Sequence, residues 1–143
     1  MIVVDSSVWI GFFNGHSTPA ISKLPELLRD EEVLVGDVVL CEVLKGARSP
    51  KHARTLELAM RQCELAPMSN TELALVAARN YRELRGKGFT VRKTIDLIIG
   101  TFCIAHNHTL LHADRDFDPM EELLGLKVVP TNYMVNEPYV RYG

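Results

Sequence analysis

The sequence predicts an α/β fold, namely a three-layer α/β/α sandwich with a central, mostly parallel sheet. Short apolar runs of strand length alternate along the chain with longer stretches of helical period, and this order is typical of a parallel sheet with helices on both faces. The 143 residues have the length of one domain, and 47% of them are hydrophobic. This is enough to fill a single core.

Five apolar runs are the candidate strands. The first is continuous and ends at Asp5, as is typical of a strand buried on both faces. In the third, Pro67 cannot donate a backbone hydrogen bond, so this strand is predicted to be poor or to end early. The runs cover residues 2–4, 33–35, 65–68, 109–113 and 126–129.

Helical patterns separate these runs. The first helix is expected to begin at Ser6 and Ser7, which are cap-type residues in front of an apolar stretch. The others cover about residues 18–30, 37–47, 51–62, 70–86 and 92–107, with a short one after Pro119. The last long helix is predicted to face the core through a stripe at helical spacing. This stripe consists of Val91, Ile95, Ile98, Phe102 and Ala105.

We expect one domain, residues 1–130, followed by a C-terminal tail, residues 131–143, because the periodicity fades after Pro130. The tail carries three tyrosines beside Arg141. Such a group would either stack on RNA bases or pack against the domain or a partner chain. The tyrosines are Tyr133, Tyr139 and Tyr142.

Composition argues against several classes of protein. The balance of 16 Lys and Arg against 18 Asp and Glu gives a net charge of −2, which is not the footprint of a bulk nucleic-acid or membrane binder. Cys41, Cys63 and Cys103 are widely spaced, so neither a disulfide framework nor a cysteine zinc site is expected. With no long apolar stretch and no basic leader, the protein is expected to be cytoplasmic, with no membrane partner.

Four acidic residues lie where an α/β fold places its chemistry. Asp5 and Asp114 follow two predicted strands, and open α/β sheets bind ligands at the carboxyl ends of their strands. Glu42 and Asp96 are embedded in apolar helical segments, where an isolated carboxylate has a high desolvation cost. A single Lys or Arg partner could neutralise either of these two.

If the four acids converge, they cannot all stay ionised without a cation, because like charges at short range repel one another. Hard divalent ions such as Mg²⁺ accept oxygen ligands and bind phosphate oxygens of a substrate. The chemistry that such a site supports is displacement at phosphorus by a metal-activated water.

Four segments of the chain, in order, resemble the PIN-domain ribonucleases, and most of all the VapC toxins of prokaryotic VapBC toxin–antitoxin pairs. They are residues 2–10 (IVVDSSVWI), 42–46 (EVLKG), 95–99 (IDLII) and 110–117 (LLHADRDF). The likeness spans about residues 1–130. It implies a PIN-like sandwich, an endoribonuclease activity that depends on Mg²⁺ or Mn²⁺, and a homodimer. It also implies inhibition by a small VapB-type antitoxin whose C-terminal segment enters the active-site groove, and a structured RNA substrate such as tRNA.

The resemblance also implies the roles of individual residues. The catalytic acids map onto Asp5, Glu42, Asp96 and Asp114, the metal ligands onto Asp5, Asp96, Asp114 and Asp116, and Ser6 and Ser7 are supporting residues. His112 departs from the family, which often has Thr or Ser two residues before its last Asp. The ligand in the last motif is therefore either Asp114 or Asp116. Gly100 replaces the more common Ala, a change expected to affect packing.

Basic residues concentrate beside the predicted ligands. Residues 79–93 contain six Lys or Arg and one Glu, and a second basic group follows the Glu42 helix. Such groups could hold RNA phosphates, although a solvated helix face is the alternative. The candidates for RNA contact are Arg48, Arg85, Lys87 and Arg92.

Other functional classes fit the sequence less well. A catalytically silent PIN-like module that binds RNA or protein is the alternative, yet none of the four acids is missing. A phosphate-accepting receiver would carry an acidic pair after its first strand, where this chain has Asp5-Ser6. A D-x-S-x-S metal motif fails at Trp9. The sequence cluster of His106, His108 and His112 lacks a zinc-site spacing.

Overall fold

A five-stranded parallel sheet occupies the centre of the computed structural model, which describes residues 1–131. The strands are β1 (Ile2–Val4), β2 (Val33–Gly36), β3 (Glu64–Ala66), β4 (Thr109–Leu111) and β5 (Lys127–Val128). They lie in the order β3-β2-β1-β4-β5, and each neighbouring pair is parallel. The predicted α/β class is confirmed. The tail, with its tyrosines and Arg141, lies outside the described residues apart from Thr131.

Within residues 1–131, seven α-helices and one short 3-10 turn connect the strands. They are α1 (Ser6–Phe13), α2 (Pro19–Asp30), α3 (Asp37–Lys45), α4 (Pro50–Met60), α5 (Thr71–Gly86), α6 (Thr94–His106), the 3-10 turn Arg115–Phe117, and α7 (Asp118–Leu124). None of these helices is long and apolar enough to cross a membrane.

Helices cover both faces of the sheet. All four residues of β2 are buried, and since successive side chains of a strand point to opposite faces, both faces of the sheet must be covered. Helices α1 to α4 contact one another, and α5 contacts both α6 and α7. These two groups are the outer layers of the predicted three-layer sandwich.

The ends of two strands show where local chemistry overrides the apolar pattern. Strand β3 ends at Ala66, directly before Pro67, as the missing N–H of proline predicts. Strand β4 ends at Leu111, earlier than predicted, because the backbone N–H of Asp114 donates to the ring Nδ1 of His112 at 3.1 Å. This bond turns the chain away from the strand direction.

The topology of the sheet brings the two strand-end acids together. From β1 the chain builds the sheet outwards through β2 to β3, and then returns to place β4 on the other side of β1. The β1–β4 junction is therefore a topological switch point, where α/β sheets form their ligand crevice. Asp5 follows β1 and Asp114 lies shortly after β4, so both lie at this crevice.

The interior face of α6 is different from the predicted stripe. Ala105 is exposed and Ile95 and Ile98 are only partly buried, whereas Asp96 and Gly100 are buried. The predicted stripe is thus wrong in part. The physical reason is that α6 is packed by α5, β4 and the 3-10 turn, so most of its circumference is interior and a single stripe does not describe it.

Gly36, the last residue of β2, lies against the buried side chain of Met68, and a Cβ at position 36 would overlap the Sδ and Cγ atoms of that side chain. We predict that Gly36→Ala lowers the free energy of unfolding by about 1–3 kcal/mol, because close-packed interiors do not accept extra atoms without strain. Thermal unfolding tests this. Gly86→Ala is the control, because nothing lies within 4 Å of a Cβ there. Unchanged unfolding of Gly36→Ala would contradict the prediction.

Candidate active site

Asp5 lies at the carboxyl end of β1 and caps the N-terminus of α1. Its Oδ2 atom accepts hydrogen bonds from the backbone N–H of Ser7, at 3.3 Å, and from the Ser7 hydroxyl. Its Oδ1 atom is buried and has no hydrogen-bond partner in the described part of the chain. Burial raises the pKa of Asp5, the bonds from Ser7 oppose this rise, and the charge of Glu42 adds to it. Hydrogen bonds from Ser7 therefore fix Oδ2, whereas Oδ1 has no hydrogen-bond partner among the described residues.

Asp96 occupies the first turn of α6 and is only 5% exposed. Its Oδ2 atom is buried and lacks a hydrogen-bond partner among residues 1–131. The pKa of Asp96 is raised to about 7, first by burial and then by the negative charges of Asp5 and Asp114, while the charge of Lys93 lowers it. The acid on the helix and the two acids at the strand ends thus interact electrostatically.

Asp114 and Asp116 both lie at the site. One carboxylate oxygen from each of Asp96, Asp114 and Asp116 falls within 4.8 Å of the others. The turn that joins the last two is held by the backbone N–H of Asp116, which donates to Asp114 Oδ1 at 2.9 Å. This turn places both carboxylates beside Asp96. Which of the two is the ligand of the last motif stays a prediction.

Glu42 reaches the site through a serine. It is half-buried on α3, and the hydroxyl of Ser6 donates to its Oε1 atom. The charge of Glu42 raises the pKa of both Asp5 and Asp96. Neither Glu42 nor Asp5 is one of the three acids whose oxygens lie within 4.8 Å of one another. Both lie beside that group and act on Asp96 through their charge.

His112 positions the backbone of Asp114. Its pKa is lowered to about 4 by burial, which outweighs the charge of Asp114, so the ring is neutral near pH 7. A neutral Nδ1 can accept the N–H of Asp114, and the ring packs against Phe117 with centroids 4.8 Å apart. The side chain that departs from the family pattern therefore acts as a hydrogen-bond acceptor in the last motif.

Arg92 forms a contact that sequence reasoning missed. Its Nε and Nη2 atoms donate to the two carboxylate oxygens of Asp116 at 3.3 and 3.2 Å. The side chain of Arg92 is 76% exposed and that of Asp116 is 12% exposed. The pair links the segment before α6 to the turn after β4. In the sequence, only the concentration of basic residues before Asp96 indicated that a cation could lie near the acids.

The other candidates for RNA contact lie on the surface and bond within the chain. The backbone N–H of Arg48 donates to His52 Nδ1 at 3.0 Å, Arg85 Nη1 donates to Thr90 Oγ1 at 3.1 Å, and Lys87 forms an ion pair with Glu83 at 3.5 Å. Of the four candidates, Arg92 is the one that contacts an acid of the cluster within the described residues. RNA contact by any of them remains a prediction.

The acidic cluster fits a hard divalent cation. All its ligand atoms are carboxylate oxygens, which Mg²⁺ and Mn²⁺ prefer. Two buried oxygens, Asp5 Oδ1 and Asp96 Oδ2, have no partner in the described residues, and a buried polar atom without a partner is destabilising. A cation bound beside either oxygen would satisfy that oxygen and would reduce the repulsion that raises the pKa of Asp96.

Comparisons with known proteins agree with this geometry. The PIN domain family model matches residues 2–123. VapC ribonuclease Mb1587 of Mycobacterium bovis and Ribonuclease VapC11 of Mycobacterium tuberculosis are each 30% identical to the chain over 132 residues, covering 89% of this chain and 96% of each relative. The chain belongs to the PIN-domain family and, within it, to the VapC ribonuclease group, as the four motifs predicted.

Solved structures show the same fold. VapBC2 from Rickettsia felis, bound to a DNA fragment from its promoter, has a chain with a TM-score of 0.72 and 19% identity, covering 90% of this chain and 98% of its own. A toxin–antitoxin complex from Klebsiella pneumoniae has a TM-score of 0.67 and 17% identity, covering 92% and 98%. The predicted PIN-like sandwich is thereby confirmed.

The raised pKa of Asp96 predicts how stability depends on pH without metal. An acid whose pKa is higher in the folded chain than in the unfolded one favours folding while it is protonated. Its contribution is full below the ordinary value of 3.8 and is lost as the pH rises to about 7. We therefore expect Asp96→Asn in EDTA to unfold about 4 °C or more above wild type at pH 8, and the difference to shrink towards pH 4.

Thermal unfolding of both proteins in EDTA across this pH range measures the effect. Asp30→Asn, which changes an exposed acid, controls for the loss of one negative charge. If Asp96→Asn and Asp30→Asn shift the midpoint equally at pH 8, the burial and repulsion assigned to Asp96 are wrong.

Proposed function

We propose that the protein is a metal-dependent endoribonuclease that hydrolyses RNA phosphodiester bonds, and that it is the toxin of a type II toxin–antitoxin pair. The observation that carries the proposal is the buried acidic cluster at the β1–β4 switch point, with its two unpartnered carboxylate oxygens. The ribonuclease names of the relatives support the same activity.

Asp5, Asp96, Asp114 and Asp116 would hold Mg²⁺ or Mn²⁺, and Glu42 would support catalysis from the margin. A bound divalent ion lowers the pKa of a water molecule and stabilises the leaving oxyanion during displacement at phosphorus. The protein side chains provide the arrangement of charge that this chemistry needs. No covalent protein nucleophile is required.

The supporting residues fix the acids in place. Ser7 holds Oδ2 of Asp5, and the N–H of Asp116 holds Oδ1 of Asp114. Ser6 holds Oε1 of Glu42. Each bond restricts one carboxylate oxygen and leaves its second oxygen for a cation or a water, so these bonds prearrange the site before substrate arrives.

Asp96 must lose its proton before Oδ2 can serve as a ligand. Its pKa of about 7 means that protons compete with the cation at Oδ2 below neutral pH. The apparent affinity for the cation is expected to rise with pH through neutrality. A weakly acidic medium would therefore reduce hydrolysis without disturbing the fold.

We predict that purified protein cuts RNA in Mg²⁺ or Mn²⁺, and that Asp5→Asn and Asp96→Asn each lower the rate about 100-fold or more. Loss of an outer-shell partner of a metal ligand already costs about 10- to 100-fold, and loss of a direct ligand should cost at least as much. Cleavage of total RNA, followed by gel electrophoresis over time, measures the rates.

The variant Asp30→Asn controls for surface charge and is expected to cut at the wild-type rate. Equal cutting by wild type and the two site variants would refute the metal site. Binding of RNA without any cutting by wild type would instead favour the silent PIN-like module.

We propose that the antitoxin partner, besides the segment expected in the active-site groove, also contacts the opposite edge of the sheet. A cavity of about 450 Å³ lies there, beside the amino ends of β1, β2 and β3. Its walls are mainly apolar side chains, and three acids add negative charge. This surface suits an apolar segment that carries basic residues. The apolar residues include Trp9, Phe12, Phe13 and Leu28, and the acids are Glu31, Glu32 and Glu64.

We also propose that the protein is a cytoplasmic homodimer that acts on structured RNA such as tRNA.

We expect Leu28→Glu to weaken binding of the VapB-type antitoxin, a small protein, by about tenfold or more, because the change buries a charge in an apolar contact. Leu75→Glu on α5 is the matched control, because Leu75 is also exposed and lies away from the cavity. Calorimetry with the purified small protein measures the affinities. Equal binding by the two variants would refute this location, and RNA cutting by each variant reports whether it is folded.

A further inference from the structure

The segment that leads from α5 into α6 is held in a defined shape. Helix α5 ends with the backbone N–H of Gly88 donating to the carbonyl of Arg85 at 3.0 Å and that of Phe89 donating to Leu84 at 2.9 Å. Gly88 has a φ of +93°. This is the Schellman arrangement, in which a glycine in the left-handed region ends the helix. Arg85 also bonds to Thr90 at 3.1 Å.

The side chain of Phe89 lies exposed on this segment. In a Schellman ending, the residue after the left-handed glycine usually packs against the last turn of the helix. Leu84, its expected contact, is fully buried, yet Phe89 keeps 40% of its surface exposed. Six large hydrophobic side chains are exposed within residues 1–131, and Phe89 is the one aromatic residue among them. Helix capping explains why the position is apolar but does not explain an exposed ring.

The surroundings of Phe89 are basic. Residues 85–93, referred to as the basic loop, contain four Lys or Arg and no acid. The four are Arg85, Lys87, Arg92 and Lys93. An exposed aromatic ring among cations is the combination with which proteins bind single-stranded nucleic acid, because the cations contact phosphates while the ring stacks on a base.

The basic loop is also tied to the acidic cluster. Arg92 contacts Asp116 at 3.2 Å, and Phe89 lies three residues before Arg92. Three residues of extended chain span at most about 10 Å, which corresponds to roughly three stacked nucleotides at about 3.4 Å each. A base on Phe89 would therefore belong to a nucleotide close to the phosphate at the acids.

We propose that Phe89 stacks on the base of an unpaired nucleotide near the cleaved bond, and that the basic loop holds the neighbouring phosphates. The proposal rests on the proposed ribonuclease function, and it adds a base-contacting residue outside the acidic cluster. Phe89 contributes to substrate affinity, whereas the acids carry out the hydrolysis.

The test compares Phe89→Leu with Phe89→Tyr. Leucine keeps an apolar contact for the end of α5 but has no ring to stack, and tyrosine keeps the ring. The probe is a short single-stranded oligoribonucleotide in which 2-aminopurine replaces one base at each position in turn, bound in Ca²⁺ in place of Mg²⁺. Stacking on Phe89 should change the fluorescence at one position in wild type and Phe89→Tyr, and not in Phe89→Leu.

The affinity of Phe89→Leu for the same RNA should be about 5- to 100-fold weaker than that of wild type, the range for loss of one stacked base. In Mg²⁺, KM should rise while kcat changes little. Leu75→Ala, at a distant exposed position on α5, should bind and cut as wild type. Equal thermal unfolding of Phe89→Leu and wild type would show that the fold is intact.

The outcomes separate this proposal from the proposed function. If wild type cuts the RNA and Phe89→Leu binds and cuts it equally well, stacking is refuted and the ribonuclease function stands. If wild type changes the fluorescence of the probe at one position, with Phe89→Leu failing to do so, but never cuts it in Mg²⁺ or Mn²⁺, hydrolysis is refuted and stacking stands. A change in assembly size for Phe89→Leu with unchanged RNA binding would assign the ring to a protein contact and refute stacking.

Discussion

The site depends on one constraint, which is that mutually repelling carboxylates are buried at the point where the order of strands reverses. Asp5 and Asp96 are nearly inaccessible to water, and each retains an oxygen without a partner among residues 1–131. Burial and repulsion both favour the protonated form of Asp96. The core on both sides of the sheet must offset this cost. The buried acids therefore lower the stability of the fold. Because stability does not account for their presence, they indicate a functional site.

The arrangement persists because short-range bonds organise the carboxylates one by one. Asp5 is fixed by the serine two residues after it, and Asp114 by the N–H of the aspartate two residues after it. Side chains of Asp readily form such local bonds with the backbone that follows them. The neutral ring of His112 adds a bond to the N–H of Asp114. The geometry of the site thus originates in its own turns, and the sheet brings those turns together.

Much of the fold, and the convergence of two of the acids, could be predicted from the sequence. Continuous apolar runs predicted the strands, and the positions of Asp5 and Asp114 after two of them predicted their convergence, because parallel strands end at the same edge. The interior face of α6 was predicted poorly, since a helix that is apolar nearly all round has no single stripe. The contact of Arg92 with Asp116 was also missed. It joins residues 24 positions apart in sequence, and no periodicity records such a contact.

Charge at the site has two opposing parts, and their separation reconciles a net charge of −2 with the proposed polyanionic substrate. The acids alone would repel phosphates. The basic loop supplies positive charge beside them, and the Arg92–Asp116 pair connects the two regions. A cation among the acids would remove much of the remaining repulsion. Phosphates would then meet less negative charge at the acids and positive charge at the basic loop. On the proposed function, recruitment of RNA would depend on the local order of charges along the α5–α6 connection, and the total charge of the chain would carry little information about it.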